Sequence, residues 1–194
     1  MGFEFAPKFT FPTAIVNKHN FVSQNEIFQL ASSLKDINYQ EATLFETKST
    51  TDEIRKSRIK WIPHNDKFLD IYNKILIEIH RANSKYYRFN LKNLTEPIQY
   101  TEYHGGDKGH YDWHIDIGNE SSSHRKISIT LQLSSPEEYE GGELEFKIDG
   151  NVQTTPKELG LITIFPSYFL HRVKPVTKGI RRSLVLWVGG CSFK

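Results

Sequence analysis

The stretch Tyr111-Asp112-Trp113-His114-Ile115-Asp116 carries the first chemical signal in the chain. Aromatic and β-branched residues without proline, entered from the glycine-rich run Gly105-Gly106-Asp107-Lys108-Gly109, predict a β-strand. Residues two apart on a strand share a face, so His114 and Asp116 project side by side. An imidazole beside a carboxylate suits a divalent metal, although such a pair alone is more often structural. His171, on the strand after Pro166-Ser167, is a third candidate ligand that a jelly roll can bring against the first two. Two histidines and a carboxylate on one face of an ion leave positions open, as in non-haem Fe(II) oxygenases. Structural zinc fits less well, because its sites are normally closed by four protein ligands. Beyond His171 come Arg181 and, on the same strand face, Ser183. A planar, always-charged fork beside a hydroxyl suits bidentate capture of a carboxylate. The plain alternative for Arg181 is a rim cation, since Lys174, Lys178 and Arg182 lie close in sequence.

The positioning frame is bounded by composition. A chain of 194 residues is long enough for one domain with a sizeable core. Lys and Arg total 25 against 23 Asp and Glu, a balance that points to neither nucleic acid nor an anionic membrane as partner. No apolar run approaches membrane-spanning length, and the first residues lack the pattern of a secretory signal. The single cysteine, Cys191, rules out an internal disulfide framework and a cysteine-based zinc site, so a reducing, cytoplasmic location is expected.

Phe3, Phe5, Phe9 and Phe11 alternate between prolines, which suits an edge strand or an extended arm. Ser23-Gln24-Asn25-Glu26 is a capping box opening a helix to about Lys35, with Ile27, Phe28, Leu30, Ala31 and Leu34 on its apolar face. A strand over 39–45 and a polar loop over 46–56 follow, then a strand over 57–63. A second helix is expected over 65–83, burying Phe68, Leu69, Tyr72, Ile75, Leu76 and Ile79. From Pro97 the chain reads as some eight short antiparallel strands, including a tight hairpin at Asp149-Gly150. Helices followed by strands give an α+β class with a jelly-roll core, the helices covering one sheet face. One domain spans 1–194, with helices and supporting strands in 1–96 and the barrel in 97–190.

The ordered set Tyr103, His114-Ile115-Asp116, Glu140-Gly141-Gly142-Glu143-Leu144, His171 and Arg181-Arg182-Ser183 resembles the Fe(II)/2-oxoglutarate dioxygenases of the prolyl 4-hydroxylase-like branch. The resemblance covers about 97–190, with a fainter echo over 55–63. It implies a double-stranded β-helix with helices packed on the larger sheet. It implies His114, Asp116 and His171 as iron ligands, and Arg181 with Ser183 on the distal carboxylate of 2-oxoglutarate. Tyr103, Thr130 and Gln132 would border the same cosubstrate, and Arg125 and Trp187 the substrate. Fe(II), 2-oxoglutarate and O2 are the implied cofactors, with ascorbate an optional accessory. Asp116 implies hydroxylation, since related halogenases lack this carboxylate. Trp113 alternates with His114 and should point away from the metal.

The resemblance favours a prolyl residue in a peptide or protein as substrate. The loop over 46–56 would act as a lid, with Arg55 and Arg58 on peptide carbonyls or acidic groups and Trp61 on an apolar ring. A free amino acid or other small molecule is the runner-up. A non-catalytic jelly-roll binding protein and a cupin-type dioxygenase are the rival classes. Nothing in the sequence indicates the oligomeric state.

Overall fold

Alternation of side chains along nearly every strand is used on both faces here, one face lining a barrel and the other packing under helices. The computed structural model describes residues 14–41 and 54–191. Its early strands are β1 (Val16–Lys18), β2 (Gln40–Glu41), β3 (Arg55–Lys56), β4 (Arg58–Ile62), β5 (Leu91–Leu94), β6 (Ile98–His104) and β7 (His110–His114). They are followed by β8 (Arg125–Gln132), β9 (Tyr139–Gly141), β10 (Leu144–Ile148), β11 (Asn151–Thr154), β12 (Ile162–Pro166), β13 (Leu170–Val173) and β14 (Val176–Gly190). The larger sheet runs β1-β12-β8-β14-β6-β4-β2, with β5 and β9 also pairing β14, and the smaller runs β11-β10-β13-β7-β3. Every pairing between these strands is antiparallel. Two antiparallel sheets closing on one lumen are the expected jelly-roll core, with helices on the larger sheet.

The long strand β14 shows how the faces divide. Leu184, Leu186 and Val188 join Ile98, Ile127, Ile129, Leu131 and Ile62 in a core that meets the helices. Arg181, Ser183, Val185 and Trp187 alternate with them and face the lumen. Helix α1 (Gln24–Ser33) and helix α2 (Leu69–Ala82) cover the first face. Tyr72 of α2 is fully buried; its hydroxyl donates to Ile62 O at 2.6 Å and accepts from Ile98 N at 2.8 Å, which pins the helix to the sheet. The Ser23 capping box forms as the sequence predicts.

Several expectations need correction. Phe28 is 70% exposed and Ala31 is exposed, so α1 packs through a narrower stripe, Ile27, Leu30 and the capping Leu34. Leu69 stays exposed because it is the first residue of α2, beyond the edge of the core. The second helix does not stop at Asn83; it widens into a π turn over Asn83–Tyr87 and ends where Arg88 adopts φ +57°. Of the strand over 39–45, Gln40 and Glu41 pair with β4. The arm over 3–11, the rest of that strand and most of the loop over 46–56 lie outside the described residues. Among the described residues no helix is long and apolar enough to cross a membrane.

Candidate active site

Three candidate ligands converge because β7 and β13 are neighbours in register. His171 pairs directly opposite His114, with ring centroids 4.2 Å apart. Asp116 follows β7, its backbone N–H held by Ser167 O at 2.9 Å. Its two carboxylate oxygens lie 3.6 Å from His114 Nε2 and 3.6 Å from His171 Nε2. All three ligand atoms fall within 4.8 Å of one another, a set able to hold a metal ion. The histidine tautomers are fixed from behind. His114 Nδ1 lies 2.7 Å from Asp112 O and His171 Nδ1 lies 2.8 Å from Phe169 O. A carbonyl only accepts, so each Nδ1 carries the proton and each Nε2 lone pair points inward.

Charge states agree with that geometry. Burial, aided by His114, holds the His171 imidazole down at about 4 against the opposing pull of Asp116, so the ring is neutral near pH 7. Burial alone pushes the Asp116 carboxyl up, but His171, His114 and the Ser128 hydroxyl outweigh it and keep the group ionised. Phe146 and Phe165 pack on His171, at 5.7 and 4.8 Å between centroids.

Deeper in the lumen lies Arg181, 3% exposed. Its Nη1 donates to Ser183 Oγ at 3.3 Å, and its guanidinium carbon sits 5.5 Å from the ring centre of Tyr103, its register partner on β6. No carboxylate among the described residues lies within ion-pair distance of Arg181, whereas Arg182, on the other face, donates to Glu102 Oε1 at 3.3 Å. Burying a guanidinium without a counter-ion is costly unless an anion completes the site. A small cavity beside it is lined by Thr130, Gln132, Tyr139, Gly142, Thr163 and Lys157. Gly142 adopts φ +66°, and a Cβ there would meet Arg181 Cδ and Tyr139 Cε2 at 3.0 Å. A larger hollow lies between α1 and α2, lined by Ile27, Leu30, Phe68 and Ile71; none of the three ligands borders it.

Residues 98–189, from β6 to β14, match the family model of the 2OG-Fe(II) oxygenase superfamily. The chain carries a 2OG-Fe(II) oxygenase domain. A PKHD-type hydroxylase of Pseudoalteromonas atlantica is 30% identical over 126 residues, covering 62% of this chain and 54% of that protein. One from Prochlorococcus marinus is 28% identical over 172 residues, covering 88% of this chain and 76% of the relative. The alignment with the first of these thus spans about half of that relative's length. Among solved structures, a Trichoplax adhaerens prolyl hydroxylase in complex with a hypoxia inducible factor oxygen degradation domain peptide fragment superposes with TM-score 0.74 at 19% identity, over 90% of this chain and 83% of that one. A Pseudomonas putida prolyl-4-hydroxylase gives TM-score 0.70 at 20% identity, over 92% and 93%. These likenesses show the fold, a double-stranded β-helix.

The family implies Fe(II), 2-oxoglutarate and O2, and the donor set of this oxygenase domain fits the metal. Two imidazole nitrogens and one ionised carboxylate converge on one side, leaving the rest of a coordination sphere to cosubstrate and solvent. The remaining expected residues lie in separate parts of the fold. Ser183, Thr130, Gln132 and Tyr103 surround Arg181, and Arg125 lies beside Asp116 with Trp187 against its guanidinium. Arg125 is already engaged: it donates to Asp116 O at 3.1 Å and Glu96 Oε1 at 2.6 Å, and stacks 4.1 Å over Trp187. Trp61 is half-buried on the lumen face beside Gln99.

Arg55 and Arg58 sit on opposite strand faces, each with a partner within the chain. Arg55 is buried in β3, donating to Ser57 Oγ at 2.9 Å and Gln99 Oε1 at 2.8 Å, with its guanidinium 4.8 Å over Tyr111. Arg58 shares the opposite strand face with Lys60 and Ile62, and its exposed side chain reaches Asp107 at 3.8 Å. Trp113 turns away from the metal ligands as expected, with Arg172 stacked 4.5 Å over it. Two residues escaped the sequence reading. Tyr111 lies against His114, three positions before the His-x-Asp pattern begins, and Tyr139 immediately precedes Glu140-Gly141-Gly142, the motif beside which it could have been found.

Proposed function

We propose that the chain is an Fe(II)/2-oxoglutarate-dependent hydroxylase acting on a prolyl residue of a peptide or protein. The observation that carries this is a buried arginine without a carboxylate partner in the same lumen as a His-Asp-His set with inward lone pairs. In this reading His114, Asp116 and His171 hold Fe(II). Arg181 with Ser183 takes the distal carboxylate of 2-oxoglutarate, and Tyr103, Thr130 and Gln132 border it. When bound, iron and cosubstrate supply with O2 an oxidative decarboxylation to succinate and CO2 coupled to hydroxylation.

The chain's own part is positional. Asp112 O and Phe169 O orient the two imidazoles, burial keeps His171 unprotonated, and Phe146 and Phe165 exclude water from its flank. Arg125 fixes the Asp116 carbonyl and the Trp187 indole, and that indole with Trp61 offers apolar walls for a pyrrolidine ring. The prolyl substrate is supported by the prolyl hydroxylases of like fold, one of which has a peptide in its complex. A single domain over 1–194, with the barrel in 97–190, is supported by the core that helices and large sheet share. The lone Cys191 supports a reducing cytoplasmic setting, in which ascorbate would be an accessory reductant.

The deciding experiment is succinate release with Fe(II), 2-oxoglutarate and a panel of prolyl peptides and free amino acids. Peptide-stimulated succinate with one oxygen atom gained on proline is expected. Stimulation by free amino acids alone would replace the prolyl-peptide substrate with a small molecule.

A further inference from the structure

The cavity beside Arg181 holds a second group shaped to grip an anion. Tyr139 is 3% exposed, and its hydroxyl oxygen accepts from Gln132 Nε2 at 2.9 Å. The same amide nitrogen donates to Ser134 O at 3.3 Å, which sets the amide's orientation. The Arg181 guanidinium lines the same cavity and acts electrostatically on that hydroxyl, and a guanidinium can only donate. With the Gln132 amide donating to its oxygen, the phenol has its own proton left to give. Among the described residues it finds no acceptor for that proton. The ring is held in place as well: Lys157 Nζ lies 4.2 Å over it while donating to Gly141 O at 2.9 Å, and Gly142 leaves room against its edge.

We propose that Tyr139 is a cosubstrate-binding residue, its hydroxyl donating to the distal carboxylate of the 2-oxo dicarboxylate that Arg181 pairs with, while Gln132 orients the phenol. The assignment deepens the proposed function and rests on it through Arg181. A carboxylate has room for several donors, so the guanidinium and the phenol can address it from two directions. The pair then discriminates a 2-oxo dicarboxylate from a 2-oxo monocarboxylate, which would leave both donors unanswered.

The test is equilibrium binding by calorimetry, with the chain loaded anaerobically with Fe(II). The ligands are 2-oxoglutarate and 2-oxobutanoate, which share the metal-chelating end but not the distal carboxylate. Tyr139→Phe should weaken 2-oxoglutarate roughly ten- to a hundredfold, as for a lost hydrogen bond to a charged group, and leave 2-oxobutanoate unchanged. Equal weakening of both ligands, or of neither, overturns the assignment. If the Phe variant does not fold, Gln132→Met decides: a loss confined to 2-oxoglutarate supports the orienting role, and no such loss overturns it. A wild-type chain that binds both ligands equally would remove the Arg181 reading itself, an outcome distinguishable from failure at Tyr139 alone.

Discussion

The imidazole of His114 lies flat on the ring of Tyr111, with centroids 3.4 Å apart and planes inclined by 11°. Arg55 covers the other side of that ring, so the candidate ligand, the phenol and the guanidinium form three layers. Tyr111 fixes the plane of an imidazole whose Nδ1 is already tied to Asp112 O. Tyr111→Ala should therefore weaken metal binding, roughly tenfold or more as for other outer-sphere partners, while Tyr111→Phe keeps the stack and the affinity. A Co(II) titration against a competing chelator measures both. Equal affinity in the Ala variant would show that the stack does not hold the ligand.

Arg55 and Arg58 should part company on substitution. Arg55→Met removes two hydrogen bonds and a stacked cation from a buried site, leaving Gln99 Oε1 with only the Thr101 hydroxyl at 3.2 Å, at a cost of about 1–3 kcal/mol. Arg58→Ala removes only an exposed contact at 3.8 Å and should stay within about 1 kcal/mol of wild type. Urea unfolding of the two variants checks the contrast, and an equal loss in both would refute it.

The alternation of β14 is what made the site legible: Arg181 and Ser183 fall on the lumen face and Arg182 on the other, as period two requires. The His-x-Asp pair and the strand after Pro166-Ser167 were legible for the same reason. The stack behind His114 was not. Arg55 reaches Gln99, 44 residues away, and its cross-strand partner is Tyr111, so its role depends on a pairing between β3 and β7 that no local pattern announces. Phe28 misled because apolar residues on a short helix say nothing about how wide a stripe its neighbour can cover.

Gly142 should resist substitution more than its sequence neighbourhood suggests. At φ +66°, with Arg181 Cδ and Tyr139 Cε2 at 3.0 Å from an added Cβ, Gly142→Ala should cost about 1–3 kcal/mol and raise the 2-oxoglutarate requirement. Gly106, where an added Cβ meets nothing within 4 Å, is the control, and Gly106→Ala should be near neutral. Thermal melts and cosubstrate titrations of the two variants measure this; a neutral Gly142→Ala would contradict the close packing.

Metal-free protein should lose stability as pH falls from about 6.5 toward 4. His171 is held at about 4 in the fold against an ordinary 6.5, chiefly by burial. Across that window the unfolded chain takes up a proton that the folded chain refuses, so acidification favours unfolding. The loss is on the order of 3 kcal/mol by the lower end. Above the ordinary value the ring is neutral in both states and contributes nothing. Asp116 is ionised in both states over this window, and its stabilising contribution goes only below the ordinary carboxylate value of 3.8. Urea midpoints measured across the window, for wild type and His171→Asn, isolate the effect. A slope that persists unchanged in His171→Asn would assign it to other groups.

The most direct measurement of the central claim is succinate formed from 2-oxoglutarate under O2, with and without Fe(II), by wild type and by Asp116→Ala. Asp116 supplies the one carboxylate of the ligand set, 8% exposed, between two imidazoles. The account predicts iron-dependent succinate from wild type and none above background from Asp116→Ala, with the variant still folded by circular dichroism. Undiminished succinate from Asp116→Ala, or iron-independent turnover by wild type, would contradict it.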